Sequence, residues 1–430
     1  MLRLLWLAAL WLGLACARSS TGDSVLVVID PSLQNDYSIF LGGLRDRGYQ
    51  LTFRAPKDEA PVIIADGYPT FSHVVVFPGE TRNFAKDLTP QALVELLQGG
   101  TNLILALSNK QTPLFSLAGE FSMILPPPGT PLVSYFPERE DPVTVVPIPL
   151  SAPASPIVPV PLDGPVWFSG IPHLPGNNPL LVPVLRAPVE SFAADTTEAD
   201  ALVDAAEKGG EGLWAGNQLA VVSAFQATSG ARVMWVGGME MFSDTFAKRP
   251  GAANKRFVQD LAAWTFQETG VYRIDSSTHH LVNETEERET YTINDNVEYV
   301  LHVSEFDPAI GEWKPCSSIQ DMQFEFTMLD PHIRTALRPV PGVPGEYAVT
   351  FRVPDRHGVF KFVVNYKRKG YTHLLTDTTV PVVPPRHNQY PRFLSAAWPY
   401  YAGAISTSLA FVVFSAMWLG GEEPRKKKTE

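Results

Sequence analysis

Apolar residues change their spacing twice along this chain, and each change predicts a different kind of structure. From Ser24 to Asp30 the run Val-Leu-Val-Val-Ile is unbroken, as in a strand buried on both faces of a parallel sheet. A helical stretch around Tyr37 to Arg47, closed by Gly48, leads to a second strand over Tyr49 to Arg54. His73 to Phe77 predicts a third strand, stopped by Pro78-Gly79. Thr89-Pro90 opens a helix through Leu97, because proline at the first helical position gives up an N–H that has no partner there. Gly99-Gly100 ends it. Asn102 to Leu107 reads as a fourth strand, Leu219 to Phe225 and Ala231 to Gly237 as a strand pair, and Phe257 to Gln267 as an apolar-rich helix ending near Gly270. Strands separated by helices predict a doubly wound, flavodoxin- or Rossmann-like α/β domain over residues 18–270.

Inside that domain the segment 126–188 is dense in proline, including Pro126-Pro127-Pro128 and Pro156-Ile157-Val158-Pro159-Val160-Pro161. Proline removes ladder donors and breaks helices, so regular helices and central strands are excluded here. The segment also holds Trp167, Phe168 and many Val, Ile and Leu. Extended edge strands and loops packed against a domain or a partner are therefore expected.

After Tyr272 the period becomes two. Phe324, Phe326 and Met328 share one face, as do Tyr347, Val349, Phe351 and Val353, and again Phe360, Phe362, Val364 and Tyr366. Proline and glycine turns separate these runs, which predicts a β-sandwich over residues 271–385.

The second change comes at residues 393–419, where no charge interrupts the chain between Arg392 and Glu422. As a helix, Pro399 to Leu419 would be about 31 Å long, enough to cross a bilayer. Trp398, Tyr400 and Tyr401 stand at one end and Trp418 at the other, where interfacial aromatics belong. At the amino end, Arg3 and the apolar run Leu4 to Leu14 before Ala15-Cys16-Ala17 predict a signal peptide over residues 1–17. Signal and anchor together give a single-pass type I protein with its bulk in the lumen and residues 420–430 as a cytoplasmic tail. Lys427 and Lys428 stand fourth and third from the carboxyl end, the spacing of a dilysine retrieval signal for the endoplasmic reticulum.

A formal charge of -11 argues against nucleic acid as a partner. Cys16 leaves with the signal peptide, so Cys316 is the one thiol expected in the mature chain. No disulfide is then available to it, and packed cores and partners must supply stability.

The search for chemistry finds little. No Gly-x-Gly-x-x-Gly, Walker loop, Gly-x-Ser-x-Gly elbow or Asp-x-Asp is present. His279-His280 is a close pair, but neighbours on a strand face opposite ways, so a metal site is not expected. An amidotransferase-like hydrolase would need a cysteine nucleophile after a strand, and Cys316 lies in the wrong domain. No catalytic residue, cofactor or metal is assigned.

Three other features carry expectations. Asn283-Glu284-Thr285 is an N-glycosylation sequon among polar neighbours. Arg386, His387 and Arg392 would sit at headgroup height on the lumenal side. Either they contact ordinary lipid phosphate, or they position an anionic lipid-linked substrate beside a neighbouring subunit. In the anchor, Ala402, Ser406 and Ala410 form one small-residue row beside Gly403 and Thr407, which favours lateral helix partners.

With these residues in view, the chain resembles a known family: the non-catalytic oligosaccharyltransferase subunit of the Wbp/DDOST, 48-kilodalton type. The resemblance rests on Tyr291-Thr292-Ile293-Asn294-Asp295, Trp313-Lys314-Pro315, Asp321-Met322-Gln323-Phe324-Glu325-Phe326 and Met328-Leu329-Asp330-Pro331-His332-Ile333-Arg334. It continues through Pro354-Asp355-Arg356-His357-Gly358-Val359-Phe360-Lys361-Phe362, Tyr390-Pro391-Arg392-Phe393 and Trp398-Pro399-Tyr400-Tyr401-Ala402. Phe242-Ser243-Asp244 and Gly270-Val271-Tyr272-Arg273 also fit. The resemblance implies an amidotransferase-like α/β domain followed by β structure and one or more spanning segments, of which one convincing candidate is present here. It also implies a place in the complex that moves a preassembled oligosaccharide from dolichyl diphosphate to Asn of Asn-x-Ser/Thr. The partners implied are a multi-spanning catalytic subunit, ribophorin-type subunits and small membrane subunits, with the dolichol-linked oligosaccharide nearby. The rival readings are a type I cargo receptor or quality-control binding protein, disfavoured by the missing disulfides, and an independent hydrolase, disfavoured by the missing nucleophile.

Overall fold

The computed structural model describes residues 18–79, 81–150, 155–196, 214–390 and 392–421. The expected signal peptide over residues 1–17 and the tail lysines Lys427 and Lys428 therefore lie outside the described residues.

The first half is a mixed α/β domain on a seven-stranded sheet. Its strands are β1 (Ser24–Val28), β2 (Gln50–Arg54), β3 (His73–Val76), β4 (Asn102–Ala106), β5 (Val182–Arg186), β6 (Ala220–Gln226) and β7 (Arg232–Val236). They lie in the order β5-β6-β7-β4-β3-β1-β2, with the run from β7 to β2 parallel and β5 and β6 antiparallel to their neighbours. Alternation along each strand divides the unbroken apolar runs between two cores. Val25, Val27, Val75 and Ile104 face helices α1 (Ser38–Asp46) and α4 (Asn254–Thr265), meeting Phe40, Leu44, Phe257 and Leu261. Leu26, Val74, Leu103 and Trp235 face α2 (Pro90–Gln98) and α3 (Pro113–Glu120), meeting Leu93, Leu96, Leu114 and Leu117. Thr89 caps α2, its hydroxyl accepting from the Ala92 N–H at 3.2 Å.

The proline-rich segment folds as short edge ribbons. Val146–Pro149 pairs with Pro165–Phe168, Met123–Ile124 with Leu174–Pro175, and Leu132–Val133 with Phe192–Ala193. β5, the outermost strand of the main sheet on that side, carries Pro183 where its register slips. Val146, Ile148, Val166 and Phe168 fill the α1/α4 core. Asn254 at the start of α4 fixes one ribbon, accepting from the Trp167 N–H and donating to the Trp167 carbonyl, both at 2.8 Å.

The second half is all strand, in two five-stranded sheets. One holds β8 (Tyr272–Leu281), β10 (Asn296–Asp307), β11 (Glu312–Pro315), β14 (Arg338–Pro339) and β15 (Glu346–Arg352). The other holds β9 (Tyr291–Thr292), β12 (Gln323–Met328), β13 (Asp330–Ala336), β16 (Gly358–Tyr366) and β17 (Leu374–Val383). Their period-two faces share one core of Tyr299, Leu301, Phe324, Phe326, Tyr347, Phe360 and Phe362. The Phe326 and Phe360 rings stack at 4.6 Å. A last helix, α5 (Trp398–Gly420), stands apart from both cores with no buried residue.

Two histidines set an acid limit on the first domain. His73 is fully buried, stacked on Phe266 at 4.3 Å, its Nε2–H donating to the Gly22 carbonyl at 3.0 Å while Nδ1 faces the Asn102 amide. His173 is equally buried, with Nε2 on the Ser223 hydroxyl at 2.7 Å. Burial pushes His73 down to about 4 and His173 down to about 3, from an ordinary 6.5. The unfolded chain then binds the extra protons first, so stability is intact above pH 6.5 and falls as pH drops from there toward 4. Each histidine contributes about 3 kcal/mol or more to that loss. Denaturant titrations between pH 7 and 4 check this, and His73→Gln is expected to flatten the slope.

Candidate functional site

The sheet order places a cleft by its topology. The connection from β1 runs outward to β2 through α1, whereas β3 returns to the other side of β1 and runs to β4 through α2. The crossovers therefore diverge between β1 and β3, and loops after parallel strands part at such a point. A cleft of about 460 Å³ opens there, walled by the loops that follow β1, β3, β4 and β7. Tyr37, Asp36, Glu240, Asn109, Met239 and Phe246 line it.

Asp244 positions the first of these residues. It accepts from the Ser38 hydroxyl at 2.6 Å and from the Ile39 N–H at 2.9 Å, holding the amino end of α1. Tyr37 sits just ahead of that helix, only 3 % exposed, its ring on Phe77 at 5.5 Å. No described residue hydrogen-bonds its hydroxyl. Burial first, then the nearby carboxylates of Glu240 and Asp36, push its pKa well above the usual phenol value. Glu240 is exposed at the cleft, and the desolvation its walls impose raises its carboxyl pKa.

A second constellation joins the two halves. Arg232, fully buried at the start of β7, sends Nη1–H to the carbonyls of Trp264 and Thr269, both at 2.7 Å, and Nη2–H to that of Gly270 at 2.6 Å. Its guanidinium lies over the Trp264 ring at 4.6 Å. Trp264 Nε1–H in turn donates to the Gly370 carbonyl at 2.7 Å, and the Thr372 N–H donates to Gly270 at 3.0 Å. Gly270 is required here: its φ is +64°, and a Cβ would meet the Gly370 carbonyl oxygen at 2.7 Å. Burial lowers the guanidinium pKa to about 9, which leaves it charged at neutral pH with backbone carbonyls as its partners.

The third feature is the arm to the membrane. After β17 the chain turns, with the Gln389 N–H on the Arg386 carbonyl at 2.8 Å and the Arg386 N–H on the Gln389 side chain at 3.0 Å. Arg386, His387 and Arg392 are all exposed on this arm, and neither arginine is ion-paired among the described residues. Phe393 stacks on Tyr401 at 4.8 Å at the head of α5. The apolar helical stretch spans Ser395–Gly420 with mean hydropathy 1.7, long and apolar enough to cross a membrane. Gly403, Ser406, Thr407 and Ala410 are exposed along it, and Ala402 nearly so. The Ser406 and Thr407 hydroxyls donate back to the Gly403 carbonyl at 2.9 and 2.8 Å, so they remain satisfied without water.

Other residues singled out in the sequence lie apart. Asn283 is exposed in the turn after β8 with φ +77°. His279 faces inward to the Tyr291 hydroxyl at 2.8 Å, whereas His280 turns to the Leu281 carbonyl, and no metal-ligating group of three or more is found among the described residues. Cys316 is buried in the β half with its Sγ 3.1 Å from the Ser318 hydroxyl. Sequence reasoning missed Tyr37, Glu240 and Arg232. The first two belong to a cleft built by loops, and an arginine opening an apolar strand was the only signal of the third.

Fold and anchor together define a membrane-attached protein with a mixed α/β domain, a β region and one apolar terminal helix. Comparison with known families then specifies it. A profile described as "OST48, N-terminal domain" matches residues 16–268, and one described as "OST48 middle domain" matches residues 279–422. The Danio rerio dolichyl-diphosphooligosaccharide–protein glycosyltransferase 48 kDa subunit is 31 % identical over 426 residues, covering 94 % of this chain and 93 % of its own length. The Caenorhabditis elegans protein of the same description is 30 % identical, over 93 % of this chain and 92 % of its own. The Arabidopsis thaliana one is 28 % identical, over 93 % of each. The chain belongs to the 48 kDa oligosaccharyltransferase subunit family.

The joint gives this family member a testable weak point. Arg232→Met keeps much of the volume but removes a charged donor from three carbonyls, leaving that of Thr269 with no other donor among the described residues, and is expected to cost about 3 kcal/mol. Denaturant unfolding measures the loss. Hydrogen exchange should show the amides of Gly370 to Thr372 losing protection before those of the β half's core.

Proposed function

We propose that this chain is a non-catalytic assembly subunit of oligosaccharyltransferase, held in the endoplasmic reticulum membrane by one span with its folded bulk in the lumen. The observation that carries the reading is family membership over nearly the whole length, from the α/β domain into α5. The transfer it serves moves oligosaccharide from dolichyl diphosphate to Asn of Asn-x-Ser/Thr in nascent proteins, with the chemistry supplied by a multi-spanning catalytic subunit.

Finer features of the reading each have a support. The first domain is an amidotransferase-like scaffold without that chemistry's nucleophile, since Cys316 is buried in the other half. The second is a β-sandwich, because its two sheets bury one common core. α5 presents all its faces to the bilayer, so ribophorin-type and small membrane subunits can pack against its Ala402, Gly403, Ser406, Thr407 and Ala410 rows. Lys427 and Lys428 act as the retrieval signal, and Asn283, exposed on its turn, carries a glycan. Arg386, His387 and Arg392 stand where α5 enters the membrane and contact the phosphates of the lipid-linked donor or of its surrounding lipid.

Gentle detergent extraction tests the central statement: the chain should co-migrate with a multi-spanning transferase, and migration alone would overturn it. Arg386→Glu with Arg392→Glu is expected to weaken donor use several-fold, read as a raised KM for the lipid-linked oligosaccharide with the complex intact. An unchanged KM removes these residues from donor handling. Digestion with an N-glycosidase should speed the chain's gel migration, and Asn283→Gln should abolish that change.

A further inference from the structure

Strand register fixes which end of the β half faces the membrane. The loop between β16 and β17, at Gly370 to Thr372, packs on the α/β domain at the Arg232 joint. Both strands reach from there to the opposite end, where Gly358 pairs with Val382 and the arm to α5 leaves β17. That arm turns at Arg386 to Gln389, and its Phe393 folds onto Tyr401, so it is shorter than its extended reach. This end of the β half therefore stands over the lumenal leaflet.

One edge of it carries an apolar apex. Leu329 is the lone residue between the paired Met328 and Asp330 of the β12–β13 hairpin. It is 102 % exposed and has φ +67°, a conformation that suits glycine and strains leucine. Val359 and Val383, at the same end on the outer face of the sheet, are exposed too. Farther from this end the exposed residues become ion-paired, Lys361 with Asp377 at 2.9 Å and Arg334 with Glu325 at 2.8 Å. Met328 packs on Gly358, where a Cβ would meet its sulfur at 2.6 Å, and this holds the apex beside the loop before β16. Arg356 is exposed on that loop and is not ion-paired among the described residues.

Apolar groups at the tip, a free guanidinium beside them and ion pairs behind match the polarity of a bilayer interface from the acyl boundary outward. A protein neighbour is met instead by a broad patch, depleted of charge and centred on aromatic side chains. Asp330 and Asp355 balance Arg352 and Arg356 at this edge, so attraction to anionic lipid does not seat the apex. The apolar contact does, and because α5 tethers the body to the bilayer, a weak contact is enough. The acidic loop that carries Asn283 reaches the same end at the other edge of the sheet, beyond β16 and β17, and leaves the β12 edge clear.

We propose that the β12–β13 apex is a second membrane contact, with Leu329, Val359 and Val383 in the headgroup region of the lumenal leaflet and Arg356 on lipid phosphate. The proposal rests on the reading that α5 crosses that membrane, and it adds a fixed tilt of the β half over the leaflet.

The full mature chain, reconstituted alone into phosphatidylcholine vesicles with a headgroup-attached quencher, tests the contact through a fluorophore on single introduced thiols. Cys316 is buried and stays unlabelled in the folded chain. Leu329→Cys labels the apex, Leu375→Cys the exposed far end of the same sheet face, and Leu394→Cys the head of α5. The apex label should be quenched several-fold more than the Leu375 label, without any anionic lipid. Quenching at Leu394 but not at Leu329 overturns the proposal and leaves the anchor standing, whereas quenching at neither overturns both. With the label on Asp330→Cys, Leu329→Gly suits the positive φ, so the melting temperature should be unchanged or higher while quenching falls. Arg356→Gln should lower quenching as well, and quenching that neither variant changes overturns the proposal. So does an apex open to water in vesicles but shielded in the intact complex, which assigns Leu329 to a neighbouring subunit.

Discussion

The architecture depends on one buried cation with no carboxylate beside it. Arg232 takes its partners from the backbone: the end of α4, the linker carbonyls of Thr269 and Gly270, and, through Trp264, the loop of the β half at Gly370. The Nη groups of a guanidinium in that position find partners only if all these carbonyls converge, and its Nε is left buried without one. The joint is therefore specified as a unit: its fork geometry, the left-handed Gly270 and the Trp264 N–H must fit together. A surface ion pair between the halves would contribute little and tolerate rotation. Carbonyls gathered around a dry guanidinium do not. For a protein whose work is to hold neighbours in place, a fixed relation between its two halves is what matters.

This explains how the lumenal body holds together with no disulfide among the described residues. Cys316 is enclosed in the β core and forms no bond. Stability comes instead from two apolar layers on the α/β sheet and one shared by the two β sheets. The proline-rich ribbons add to the α1/α4 layer. Prolines there remove donors at edges that would otherwise be open to pairing with other chains. The same body presents a polar cleft at one end of its parallel sheet and a basic, aromatic arm where α5 begins.

Much of the fold was legible because the period of the apolar residues matches the elements. The unbroken run at β1, the alternation at β12, β15 and β16, and the long charge-free stretch of α5 each have one good structural solution. Thr89-Pro90 announced α2 through its cap. Helix α3 was not anticipated, since Pro113–Glu120 is short with little amphipathic contrast, whereas β5, at the edge of the sheet, falls among the extended edge strands expected of the proline-rich segment. The cleft was not legible at all. Tyr37 and Glu240 are 203 residues apart, and only the crossing order of the strands brings their loops together. The Arg232 joint was hidden for a related reason: its partners are carbonyls, which sequence does not distinguish.

The most direct measurement of the account is an add-back assay of oligosaccharide transfer to an acceptor peptide. Solubilised complex stripped of this chain should lose most transfer and regain it when the purified chain returns, while the chain alone with lipid-linked oligosaccharide transfers nothing. Transfer by the isolated chain, or full transfer by the complex without it, would contradict the assignment as a non-catalytic assembly subunit.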